Sequence, residues 1–138
     1  MRSFLAIDFG TKRLGFAAAE DGRVHPIETW ARRTWVEDVA RIRAILEERA
    51  LVSVLVGIPT MLDGRASSAT ERASRFIDAL RGELGTPVET WDEALTSHEA
   101  DARMEDAGLS DRDRTRWRDA YAAAVLAEDY ILHHGKTD

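Results

Sequence analysis

The sequence predicts one α/β domain on a mixed five-stranded sheet, with a three-strand antiparallel meander, two parallel strands and helices on both faces. Three observations predict it. The first third reads as strands joined by tight turns. The remainder alternates helical periodicity with short apolar runs. The length, 138 residues, suits a single core, so residues 1–138 are expected to form one domain.

The segment SFLAIDF is rich in aromatic and branched residues and reads as the first strand. LGFAAAE follows a Gly-Thr-Lys-Arg turn as the second. Asp21-Gly22 is a two-residue hairpin signal, and RVHPIETW is the third strand. Pro26 lacks a ladder donor, which places that strand at an edge.

Thr34 and Glu37 form a capping box before VEDVARIRAILEERA, whose Val36, Val39, Ile42, Ile45 and Leu46 share one helical face. LVSVLVG is a continuous apolar run, as expected of a central strand covered on both sides. IPTMLDGRA is a loop. Ser68 with Glu71 caps the helix ATERASRFIDALRGEL. PVETWDE is the fifth strand, and Thr96 with Glu99 opens SHEADARMEDA, which Gly108 ends. LSDRDRT reads as a polar connector and RWRDAYAAAVLAEDYILHH as the last helix.

Composition narrows the class. There is no cysteine, so disulfides and thiolate metal sites are excluded. No apolar run approaches the ~20 residues of a membrane helix, and Asp8 interrupts any signal-like start. The expected setting is the cytoplasm. The net charge of −6 argues against a protein that coats nucleic acid over its whole surface. A local patch is still allowed, because 17 of the 19 basic residues are arginine, the side chain that forks best onto phosphate.

Three acids need an explanation. Asp8 ends the first strand on the face of Phe4 and Ala6, where an unpaired carboxylate costs several kcal/mol. It could instead cap the turn through the N–H groups of Gly10 to Lys12. Asp92 and Glu93 end the fifth strand and point to opposite faces, so one of them faces the side of Asp8. Asp119 sits one turn into the last helix among alanines small enough to let that helix approach the sheet. In this topology all three places converge on the rim at the strands' carboxyl ends, where such sheets carry their chemistry. Clustered carboxylates repel one another unless protons or a divalent cation neutralise them. An all-oxygen donor set suits Mg²⁺ or Mn²⁺, and two ions ~3.5–4 Å apart can drive phosphodiester hydrolysis.

The segments AIDFGTKRLGFA, VGIPTMLDGRASSATERASRFIDAL, WDEALTSHEADARM and RDAYAAAVLAEDYIL together resemble the YqgF family, also called RuvX. The resemblance runs from about Ser3 to Leu132. It implies an RNase H-like fold and a divalent-metal nuclease whose catalytic and metal-binding acids are Asp8, Glu93 (with Asp92 beside it) and Asp119. The substrates it implies are a Holliday junction, placed first here, or the 5′ end of pre-16S ribosomal RNA. Related resolvases carry a fourth acid one turn from the last-helix Asp, whereas Arg116 and Ala122 stand there in this chain.

Lys12 and Arg13, just after Asp8, are expected to hold phosphates. Arg65, in the Asp-Gly-Arg turn after the fourth strand, is a further candidate. Arg112, Arg114, Arg116 and Arg118 form a basic run that is either a helix start or a loop arm. A near-symmetric junction would call for a homodimer. Two other readings compete. An actin-like ATPase would share the Asp-x-Gly-Thr turn but needs a second such loop, which is absent. A non-catalytic nucleic-acid-binding module would need none of the three acids.

Overall fold

The computed structural model describes residues 3–59, 68–93 and 96–134. The sheet order is β3-β2-β1-β4-β5. The strands are β1 (Phe4–Phe9), β2 (Arg13–Glu20), β3 (Arg23–Ala31), β4 (Ser53–Pro59) and β5 (Val88–Glu93). The helices are α1 (Trp35–Arg49), α2 (Ser68–Glu83), α3 (Thr96–Asp106) and α4 (Asp111–His134). β1, β2 and β3 form the antiparallel meander, and β4 and β5 run parallel to β1. Among the described residues, no helix is long and apolar enough to cross a membrane.

Alternation in the strands divides the core into two layers. Leu5 and Ile7 of β1, with Leu14, Phe16 and Ala18 of β2, pack under α1 and α2. Phe4, Ala6, Ala17 and Ala19 face the other way, against Ala123, Ala124 and Ala127 of α4. That second interface is rich in alanine, so α4 lies close on the sheet.

β3 is an edge strand, as Pro26 predicts. The ladder slips between Phe16, which pairs with Glu28, and Ala17, which pairs with Pro26. The extra residue at this bulge is Ile27. Asp21 and Gly22 both have positive φ, as a two-residue hairpin turn requires. Thr34 caps α1 by accepting the Glu37 N–H at 3.2 Å.

Two readings of the sequence are corrected. Val36 is 76 % exposed, and the buried stripe of α1 is Asp38, Val39, Ile42, Ile45 and Leu46. The acid takes the inward place at the first turn because donors await it there. The segment SDRDRT is not a connector. Ser110 accepts the Asp113 N–H on its side chain and the Arg114 N–H on its carbonyl, so α4 starts at Asp111. Asp119 therefore lies more than two turns inside α4, beyond the reach of the helix N-terminal field.

Asp38 is fully buried and accepts from Trp30 Nε1 at 2.9 Å, Arg32 Nε at 3.1 Å and the Arg33 N–H at 2.9 Å. Burial pushes its pKa up. The hydrogen bonds from Arg33, Trp30 and Arg32 and the charge of Arg32 outweigh that and hold it below the ordinary 3.8. A depressed folded pKa stabilises the protein above the unfolded value, and this is lost as pH falls through the folded value. Asp38→Asn should therefore cost about 2–3 kcal/mol at neutral pH. Its deficit against wild type should shrink as the pH drops below 3.8, read from urea midpoints across pH.

Candidate active site

The rim is built around the turn that follows β1. Gly10 has no room for a side chain, since a Cβ there would lie 2.6 Å from the Arg13 carbonyl oxygen. Arg32 closes the turn from outside. Its N–H donates to the Lys12 carbonyl at 2.9 Å, and its guanidinium donates to the Gly10 carbonyl at 3.3 Å. The Asp38 cluster thus stiffens the loop next to Asp8.

Asp8 is half-buried and pairs in register with Gly15 of β2. Both belong to the α4 side of the sheet, by alternation with Ala6 and Ala17. A Cβ on Gly15 would meet the Asp119 carbonyl oxygen at 1.9 Å and its carbon at 2.2 Å. The bare backbone of β2 is what lets α4 bring Asp119 to the strand position opposite Asp8. The helix is then held at two levels. The Ala120 N–H donates to Thr29 Oγ1 on β3 at 3.3 Å. Far along α4, Trp91 of β5 donates to Asp129 at 2.6 Å, and Tyr130 donates to Glu89 of β5.

Register separates the two acids at the end of β5. Glu93 pairs with Pro59 and has the parity of Glu89 and Trp91, which meet α4. Asp92 has the opposite parity, that of Val88 in the α1–α2 layer, and is exposed. Position therefore puts Asp92 on the side of the sheet away from Asp8.

Arg13 donates from Nε to Asp119 Oδ2 at 2.9 Å, with Arg13 58 % and Asp119 22 % exposed. Spacing alone gives no sign of this pair, because it joins residues 106 positions apart. Among the described residues no three acids or histidines are grouped to hold a metal. Lys12 is exposed in the turn. Arg114 donates to the Leu109 carbonyl and Arg118 pairs with Asp101 of α3, so both brace α4. Arg112 and Arg116 are exposed. Arg116 and Trp117 line a cleft of about 350 Å³ with Ile27, Glu28 and Thr29. Arg65 lies outside the described residues.

A three-strand antiparallel meander continued by two parallel strands, with a final helix laid across the sheet, is an RNase H-like domain. The chain belongs to the RuvX family, whose profile, described as a Holliday junction resolvase, matches residues 2–133. A relative from Koribacter versatilis, named "Putative pre-16S rRNA nuclease", is 32% identical over 95% of this chain and 87% of its own. A relative from Anaeromyxobacter dehalogenans with the same name is 35% identical, over 92% and 94%. In solved structures, T. thermophilus RuvC with a Holliday junction substrate aligns with TM-score 0.57 and 19% identity over 97% of both chains. The fowlpox virus Holliday junction resolvase aligns with TM-score 0.59 and 15% identity, over 95% and 98%. At such identities these two show the shared fold.

Proposed function

We propose that the protein is a divalent-metal-dependent endonuclease of structured nucleic acid in the cytoplasm, with Asp8, Glu93 and Asp119 as its catalytic acids. The observation that carries this is the apposition of Asp119 to the Asp8 position across the bare backbone of Gly15. Asp8 and Asp119 offer carboxylate oxygens, a donor type that fits Mg²⁺ or Mn²⁺. When bound, the cation supplies positive charge at the scissile phosphate and makes a water acidic enough to attack phosphorus. Asp8 and Asp119 anchor it from strand and helix, and Glu93 adds a ligand from β5. Lys12 and Arg13 orient the flanking phosphates. With three acids, a second cation would need substrate phosphate to complete its ligands.

Ribosomal RNA maturation now ranks ahead of the four-way junction, which the sequence put first. Relatives sharing about a third of their residues over nearly the whole chain carry the pre-16S rRNA name. The junction stays as the second reading because the family description names it. A near-symmetric junction would also require an isologous homodimer. The test is to incubate wild type and Asp8→Asn with a 16S-precursor RNA and a four-way DNA junction, in Mn²⁺, Mg²⁺ and EDTA. Cleavage of the RNA alone, dependent on both metal and Asp8, supports the first reading. Cleavage of the junction alone supports the second, and identical cleavage in EDTA overturns both.

Arg13 pairs with Asp119, so it competes with a cation for that carboxylate. Arg13→Ala should strengthen Mn²⁺ binding, seen as a larger Mn²⁺-dependent rise in Tm of the substrate-free protein. The same variant should cut more slowly, having lost a phosphate contact. An unchanged Mn²⁺ response would show that the pair does not guard the acid.

A further inference from the structure

A second feature of the rim lies on the opposite face of the sheet. Phe9 follows Asp8 directly, and by alternation it turns toward α1 and α2. There it meets a groove of about 270 Å³ lined by Phe9, Thr11, Arg32, Arg72, Arg75 and Phe76, among others. One wall is a stripe of α2, Arg72, Arg75, Phe76 and Ala79, spaced i, i+3, i+4 and i+7. The other is the turn after β1 together with Trp35. The Arg32 guanidinium sits 5.3 Å from the Phe9 ring centre and 5.5 Å from that of Phe76, which makes a flat, cationic floor.

Arg72 and Arg75 are exposed and make no ion pair among the described residues. In a chain of net charge −6, three guanidinium groups around one aromatic groove stand out. The groove is smaller than the ~300–1,000 Å³ typical of whole small-molecule sites. Phe76 is buried and Arg32 is paired with Asp38, so the groove's outward-facing charge is that of Arg72 and Arg75, which suits the phosphate backbone of a single strand. The exposed Lys12 and Arg13 lie on the turn between this groove and the acids.

We propose that this groove holds a single-stranded stretch of the nucleic acid that flanks the cleavage point. The strand passes from the acids over the turn, and Arg72 and Arg75 take two of its phosphates. The inference rests on the nuclease reading above.

The test is fluorescence anisotropy of a labelled 20-nucleotide single-stranded RNA, and of its DNA counterpart, in EDTA across a salt series. The proteins are wild type, Arg72→Ala/Arg75→Ala, and the control Arg23→Ala on the far hairpin. The double variant is expected to bind at least about ten-fold more weakly at 0.1 M salt. Its log–log salt slope should flatten by about 1.4, the loss of two single-strand phosphate contacts. The control should match wild type. RNA-only binding would name RNA as the strand, and equal binding of both would name the shared backbone. Unchanged affinity and slope in the double variant, with cleavage intact, overturns the groove and leaves the nuclease reading standing. Wild type that neither binds nor cuts overturns both. A change of oligomeric state in the double variant, seen by sedimentation with binding unchanged, would assign the face to a second copy instead.

Discussion

Asp8→Asn is expected to lower cleavage by about a thousand-fold or more while the protein stays folded and keeps its hold on nucleic acid. The amide keeps the size of the carboxylate, so the half-buried end of β1 should repack with little strain. What is lost is a full negative charge at the point where the proposed cation would be held. A bound cation contributes several kcal/mol of transition-state stabilisation, and about 4 kcal/mol corresponds to three decades in rate. Binding relies on arginines elsewhere and should shift little. The checks are single-turnover cleavage in Mn²⁺, anisotropy in EDTA, and a urea midpoint close to that of wild type. Cleavage within ten-fold of wild type would remove Asp8 from the chemistry.

Gly15→Ala is expected to damage both stability and activity although it adds one methyl group. That carbon would stand 1.9 Å from the Asp119 carbonyl oxygen, while ordinary contact begins at 3.4 Å. Both partners are backbone, so no rotamer change relieves the clash, and α4 must retreat by about 1.5 Å, the difference between those values. Overpacking of this kind costs about 3 kcal/mol. A displacement beyond 1 Å at a catalytic group can cost about a hundred-fold in rate. The urea midpoint should fall, and molecules still folded at low temperature should cut at least that much more slowly. A variant with wild-type stability and rate would mean that α4 does not rest on β2 at this residue.

The architecture was legible where local chemistry decides it. Asp21-Gly22 can form only a few turns, Pro26 cannot donate to a ladder, and Thr34 presents a cap to the Glu37 N–H. Strand parity placed Asp8 on the face of Phe4 and Ala6, which is the face α4 covers. What escaped depends on partners far away in sequence. Gly15 looks like one more small residue in a strand until a helix a hundred residues later is set on it. Asp38 looks like an acid in a first turn, favoured by the helix field, until Trp30 and Arg32 are seen to surround it. The pairing of Arg13 with Asp119 belongs to the same class. Alternating charges in SDRDRT suit a helix start and a loop equally, and Ser110 settles the matter only through its cap.

The order of the elements along the chain has a consequence for synthesis. Asp8 lies on β1, which is made before the other described elements, and the sheet can close once β5 has been made. Asp119 arrives only with α4, the last of the described elements. A growing chain emerges at about 5–20 residues per second, so seconds separate the first acid from the helix acid. Through that interval the nascent domain has Asp8 but no partner from α4 facing it. In the proposed site the two acids can act together only after translation has passed Asp119.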